Sequence, residues 1–513
     1  MAVTSFAAID IGSYNVSMEI FEITKKNGLR SLNRVRKRLE LGKDTFNLKK
    51  ISTDKLHDLT AILLEFKKTM AEYRVTDYRA CAKSALREAR NCVLVQEQVF
   101  QSTGIRIDVL SNSEQRYLGY KSIASRGSEF QKIIEKGCAI VDVGGGSIQI
   151  SLFDKDALVT TQNILLGSLR IRERLSSMEN EARHYDELVS QYIDKDILNF
   201  KRMYLKDRRI ENIILVGDYF TNLIFRNKND ADKVESKEEF MQWYRQIVSR
   251  SENDLTREMG IGPDIASVVI PTAILYRRLI EELGASSVWL PGIQLTDGIA
   301  YDYGDRKKII QTPHDFDRDI LMAAKNMAKR FAGNKPHTEA ILGYADAVFD
   351  AVRKGNGLGS RDKLLLRVAA CLHDVGKYIS LVNVADCSYS IIMASEIIGL
   401  SHREREIIAN VVKFNTKPFI YYNESPETRH MDRGDYMLVA KLSAILRLAN
   451  GLDQSYRQKI TEIAVTRKDP ELTVTVDPKE DFALEKGIFE ENKAFFEEVF
   501  GLKAELKLKK KKG

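Results

Sequence analysis

Apolar residues in the first 125 positions change period repeatedly. FAAIDIG (6–12), VSMEIFEI (16–23), DYRACAKS (77–84) and IRIDVLS (105–111) are short strand-like runs. TDKLHDLTAILLEFKKTMAEY (53–73) and NCVLVQEQVFQST (91–103) instead space their apolar positions by three and four, as helices do. Alternating strands and helices predict an α/β lobe over 1–125. The pattern restarts at Cys138 with hairpin strands CAIVDVG and SIQISLFD, then ALVTTQNILLG, helices, the strand NIILVGD and more helices, a second α/β lobe over 126–305. After the charged segment YDYGDRKKIIQTPHDF only helical spacing remains, in stretches such as HTEAILGYADAVFDAVRK, RDKLLLRVAACLHDVGKYI and DYMLVAKLSAILRLANGLD, which predicts an all-α domain over 315–456. KITEIAVTRK and ELTVTVDP, the helix KGIFEENKAFFEEVFG and the basic strand KAELKLKK then predict a small α+β domain over 457–513.

The two lobes share more than a period. Residues 6–21, FAAIDIGSYNVSMEIF, match 138–153, CAIVDVGGGSIQISLF: Asp10 falls on Asp142, Gly12 on Gly144, Asn15 on Ser147 and Phe21 on Phe153. A strand ending in Asp-X-Gly has a physical use. Glycines let backbone N–H groups converge on a phosphate, and the aspartate at the strand end can hold Mg²⁺ directly or through water. One such turn alone reads as a tight hairpin; two in matching lobes predict a clamp on a phosphate chain.

Composition narrows the setting. A chain of 513 residues exceeds a single core, and 44% apolar residues suit a globular protein. No run of about 18 apolar residues escapes charge, and MAVTSFAAIDIG lacks the basic-then-apolar order of an export signal, so a cytoplasmic protein with no membrane partner is expected. Five scattered cysteines fit reduced thiols rather than a disulfide framework. The charge of +7 permits an anionic substrate without demanding one or pointing to specific nucleic-acid binding, and the terminal LKLKKKKG reads as a solvated tail.

The paired turns, with KSALREARN (83–91), VLSNSEQRYLGY (109–120), LLGSLRIRERL (165–175) and an HD pair in the helical region, resemble the exopolyphosphatase and guanosine pentaphosphate phosphatase family, of the actin-like superfold. The resemblance runs in order along essentially the whole chain. It implies two actin-like (ribonuclease H-like) lobes, an HD-like helical domain, Mg²⁺, a homodimer, and hydrolysis of terminal phosphate from polyphosphate or a guanosine alarmone. Carried over, Gly12, Ser13 and Asn15 form the first phosphate turn and Gly144, Gly145, Gly146 and Ser147 the second, with Asp10 and Asp142 at the metal. Arg87 is expected on phosphate, since a guanidinium is always charged and forked; without the family it reads as a helix-surface residue.

The general base has two readings. Relatives carry adjacent glutamates where LSNSEQRYL has Glu114 and Gln115, and glutamine takes no proton at neutral pH. Glu114 serves as base after a one-residue slide, or it is the last residue of the capping box Ser111-x-x-Glu114 and bonds its own helix start. Tyr14, Gln149 and Asp218 also depart from the family, and an acid at 218 disfavours an anion. In the helical domain, the HD resemblance implies a second divalent metal on His337, His373 and Asp374, weakened by Asn450 where an aspartate is expected, with Asp453 one turn on. Lys377 beside the pair can reach a phosphate or cap a helix end. Three functions remain open: a phosphoanhydride hydrolase, a binding regulator that has lost its base, and an HD-type metal phosphohydrolase.

Overall fold

The computed structural model of the chain describes residues 3–13, 15–125, 128–144, 147–155, 157–175, 178, 185–216, 234–310, 314–422, 424 and 431–509. Two compact units, Met1–Asp315 and Phe316–Gly513, divide it. In the first, two sheets repeat one plan. β1 (Thr4–Ile11) pairs antiparallel with β2 (Asn15–Thr24), which pairs with the edge strand β3 (Gly28–Arg38). On its other side β1 pairs parallel with β4 (Asp77–Ala82), and β5 (Ile107–Val109) follows. The second sheet sets β6 (Cys138–Val143) between β7 (Ile148–Asp154) and β9 (Asn212–Val216), with β8 (Ala157–Ile164) outside β7. Beyond β9 lie β11 (Ser287–Trp289) and β10 (Val234–Ser236). Central strand, antiparallel hairpin and parallel neighbour thus recur, as the internal repeat predicts.

One face of the first sheet, with Ala7, Ile9, Ile11, Val16, Met18 and Ile20, is buried against the helix Thr53–Glu72. That helix begins at Ser52, whose hydroxyl accepts from the Lys55 amide, and buries Leu56, Leu59, Leu63, Phe66 and Met70 at helical spacing. Each such side chain stabilises the fold by about 1.5–3 kcal/mol. The other face meets the helix Leu295–Arg306. Tyr303 stacks on Phe6 at 4.1 Å, Thr296 donates to Glu19 at 2.8 Å, and Asp302 pairs with Arg79 at 3.2 Å. This helix, which the sequence pattern assigns to the end of the second lobe, therefore packs on the first sheet. It also crosses the helix Asn112–Ala124 so closely that a Cβ on Gly298 would lie 1.9 Å from the Leu118 carbonyl oxygen, and Lys121 ties the two by bonds of 2.9 Å to Asp302 and 2.8 Å to Asp305.

The second unit follows the predicted order. Helices Phe316–Arg330, Lys335–Val352, Ser360–Leu372, Val384–Ala394, His402–Thr416 and Arg433–Gly451 precede a sheet of β12 (Ile460–Lys468), β13 (Glu471–Pro478) and β14 (Lys503–Leu508), with the helix Ala483–Phe500 before β14. Among the described residues no helix is long and apolar enough to cross a membrane. All five cysteines are free thiols.

Candidate active site

Asp10 and Asp142 lie near the ends of the two central strands. Each turn beyond them is closed by one equivalent bond, Gly12 N–H to the Asn15 carbonyl at 2.9 Å and Gly144 N–H to the Ser147 carbonyl at 3.0 Å. A Cβ on Gly12 would stand 3.1 Å from Asn15 O, and one on Gly144 3.3 Å from Ser147 O, so both turns are tight enough to favour glycine. Each is also braced from outside. Ser13 O accepts from Gly42 N–H at 2.7 Å, and Gly144 O accepts from Ser168 N–H at 3.1 Å. Cross-strand register sets Ser17 beside Asp10 and Gln149 beside Asp142, so the neutral amide of buried Gln149 shares a sheet face with the second carboxylate. Tyr14, Gly145, Gly146 and Asp218 lie outside the described residues. Two strand-end carboxylates are hard oxygen donors, which suits Mg²⁺ when phosphates and water complete its shell; by that chemistry Asp10 and Asp142 fit the ion the family implies.

The cation nearest the first turn is one that residue-by-residue matching does not single out. Lys83 Nζ lies 3.1 Å from Asp10 Oδ2, with both side chains largely buried. Strand register puts it there: Ala82 is level with Ile11, and Lys83 donates its N–H to Ile11 O at 3.1 Å just past the end of β4. Its Cε sits 3.4 Å from the Cβ position of Gly12, over the turn. The available signal was a lysine ending the strand parallel to the Asp-X-Gly strand. Ser13 and Ser84 add hydroxyls 3.1 Å apart.

Arg87, expected on phosphate, donates from Nη1 to Leu110 O at 2.7 Å and from Nη2 to Asn112 Oδ1 at 2.6 Å. Those bonds tie the short helix Ser84–Arg87 to the start of the helix Asn112–Ala124. At that start the capping box is formed. Ser111 N–H donates to Glu114 Oε2 at 2.9 Å, and Glu114 N–H donates to Ser111 Oγ at 3.2 Å. One oxygen of the candidate base is thus folded onto its own N-cap, as the capping alternative requires.

In the second unit, His337, His373 and Asp374 are buried together. His337 Nδ1 bonds Asp453 Oδ2 at 2.7 Å, its ring lies 5.2 Å from that of His373, and Tyr456 stacks on it at 3.5 Å. His373 Nδ1 bonds Ala370 O at 2.9 Å. Burial drives the His373 imidazole down to about 4, against the raising pull of Asp374 and with help from His337. Burial pushes Asp453 up, yet bonds from His337 and Gln458 outweigh it and hold the carboxylate below its usual range. Lys377 Nζ lies 3.4 Å from Asp374 Oδ2 and also bonds the Tyr456 hydroxyl. Among the described residues no three His, Cys, Asp or Glu side chains are arranged to hold a metal ion. The expected trio is therefore brought together, but a lysine ammonium occupies one side of Asp374 and a tyrosine ring covers His337.

Comparison with known proteins places this geometry. A model of the Ppx/GppA phosphatase family matches residues 20–307, and one of Ppx/GppA phosphatase domain III matches 321–492. The chain belongs to the Ppx/GppA phosphatase family. Members of this family are phosphatase hydrolases, generally dependent on a divalent metal. The chain is 20% identical over 423 residues to the guanosine-5'-triphosphate,3'-diphosphate pyrophosphatase of Photobacterium profundum, covering 80% of each. It is 23% identical over 292 residues to a bifunctional 3-dehydroquinate synthase/phosphatase of Fusobacterium nucleatum; that match covers 54% of this chain and only 43% of the relative. The solved Aquifex aeolicus Ppx/GppA family member aligns with 60% of this chain and 99% of its own, with 18% identity and a TM-score of 0.51. An exopolyphosphatase from Cytophaga hutchinsonii aligns with 60% of this chain and 100% of its own, with 16% identity and a TM-score of 0.50. At such identities the likeness shows the fold, and it bears out the actin-like α/β lobes of the Ppx/GppA plan.

Proposed function

We propose that the chain is a cytoplasmic, Mg²⁺-dependent phosphoanhydride hydrolase that releases terminal phosphate from inorganic polyphosphate between its two Asp-X-Gly turns. The observation carrying this reading is the pair of turns closed by equivalent hydrogen bonds at the ends of equivalent strands, one with Lys83 over it. Amides of the turns and the Lys83 ammonium bind and orient the terminal phosphoryl group for in-line attack. Asp10 and Asp142 would hold the divalent ion, whose chemistry there would be to neutralise charge on phosphate oxygens. Glu114 takes a proton from the attacking water through Oε1, since Oε2 is held by the Ser111 amide. The bond from the terminal phosphorus to its bridging oxygen breaks, giving orthophosphate and a chain one unit shorter.

The same hydrogen bond supports a second reading, a polyphosphate or alarmone-binding regulator. A carboxylate serving its own N-cap beside Gln115, with neutral Gln149 at the second turn, is what a chain that binds without turnover would keep. Phosphate release from long-chain polyphosphate and from guanosine pentaphosphate, with binding measured alongside, tests both. Hydrolysis predicts release by the wild type and a loss of about 10²–10⁴-fold in Glu114→Gln, the scale of one general base. Binding without release by the wild type establishes the regulator instead. Release from the pentaphosphate alone makes the chain a guanosine pentaphosphate phosphatase.

A further inference from the structure

β3 carries Arg30, Arg34, Arg36, Lys37 and Arg38 in eleven residues, with no acid among them. Four of the five cations have a carboxylate of their own. Arg30 pairs with Glu22 at 3.9 Å, Arg34 with Glu19 at 2.8 Å, Lys37 with Glu65 at 2.7 Å, and Arg38 with Glu40. Arg36 is exposed and has no side-chain partner among the described residues. Its place in the sheet is specific. Register sets Asp10 beside Ser17 and Ser17 beside Arg36, so all three side chains lie in one row on one face. The row below, Ala8, Glu19 and Arg34, is neutralised within itself. At the row of the candidate site, β2 supplies the neutral Ser17, and the arginine is left over.

Two strand spacings separate Arg36 from Asp10, about 9.5 Å between backbones. An anion held at the first turn does not fill that distance, but a phosphate chain of a few units is long enough to span it past the buried Ser17. We infer that Arg36 is a distal phosphate subsite, gripping an inner phosphate of the substrate whose terminal group sits at the Asp10–Gly12 turn. A guanidinium fork takes two phosphate oxygens at once. The same chemistry accepts inner units of polyphosphate or the 3'-diphosphate of a guanosine alarmone.

This inference rests on the hydrolase or regulator reading and is tested beside it. KM and kcat, or Kd where turnover is absent, are measured for wild type, Arg36→Ala, Arg36→Lys and the control Arg30→Ala, on tripolyphosphate, long-chain polyphosphate and guanosine pentaphosphate. Arg36→Ala is expected to raise KM about tenfold on one of the two longer ligands, the scale of one charge-assisted contact, with kcat within twofold, little change on tripolyphosphate, and partial recovery in Arg36→Lys. Whichever longer ligand responds names the source of the distal phosphate. A wild type that is active, or that binds, with Arg36→Ala unchanged overturns the subsite alone, as does an equal rise in Arg30→Ala. A wild type that neither releases phosphate from nor binds any of the three overturns the functional reading and the subsite with it.

Discussion

Each unit of the chain pairs an aspartate with a lysine where a divalent cation is expected: Asp10 with Lys83 at 3.1 Å, and Asp374 with Lys377 at 3.4 Å. What surrounds the pairs differs. Beside Asp10 lie a glycine turn and the hydroxyls of Ser13 and Ser84, groups that donate to an anion. Beside Asp374 lie the rings of His337, His373 and Tyr456, with His337 Nε2, His373 Nε2 and Asp374 Oδ1 buried and unpartnered. On the proposed reading the ion pair serves as a phosphate grip where donors converge on it, and as a structural knot where imidazoles and a tyrosine do.

That contrast breaks first at His337. His337→Ala strips Asp453 of its 2.7 Å partner while leaving the carboxylate buried. Two bonds from Gln458 remain on that carboxylate, so we expect urea unfolding to lose about 2–3 kcal/mol, with phosphate release per folded molecule unchanged. Loss of release by a fully folded variant would instead move the chemistry into the second unit, as the HD-type reading requires. Lys83→Ala comes next. Removing one preorganised donor from a phosphoryl site lowers turnover about 10²–10³-fold, whereas Lys377→Ala should stay within twofold in the same phosphate-release assay. Equal losses in the two lysine variants would erase the distinction between grip and knot.

Much of this was legible in the sequence. The internal repeat from Asp10 to Asp142 became two sheets of one topology, because an apolar strand meeting Asp-X-Gly has few ways to turn. The helices of the second unit followed from three- and four-residue spacing. β3 was not legible: GLRSLNRVRKR is an edge strand, half exposed, and its alternation of cations with sparse apolar residues resembles a solvated loop. The helix Leu295–Arg306 was legible as a helix but not as a partner of β1, because its docking depends on a contact about 300 residues back, Tyr303 on Phe6. At the site, matching Arg87 by type overlooked Lys83. Lys83 is brought to the turn by strand register, and register is a three-dimensional quantity.

The smallest effect concerns an ion pair that is structural by every measure, and it gives the comparison its yardstick. Arg361 forks onto Glu404 at 2.6 and 3.0 Å, and Glu404 closes a capping box with Ser401. Burial pushes the Glu404 carboxyl up, but the Arg361 fork and charge and the Ser401 bonds outweigh it and hold the group below its usual 4.5. A carboxylate whose folded pKa is depressed contributes stability that is full above its unfolded value and is lost as pH falls through the lower folded one. Arg361 is 38% exposed, so solvent screening leaves about 1 kcal/mol. Wild type should therefore exceed Glu404→Gln by about 1 kcal/mol in urea unfolding at pH 7, and the gap should begin to narrow as the pH drops below the usual 4.5 and vanish only below the depressed folded value. If Lys377→Ala loses no more than Glu404→Gln and shows the same indifference in turnover, the second unit's lysine–aspartate pair is an ordinary structural pair, and the first unit's is the one that has acquired chemistry.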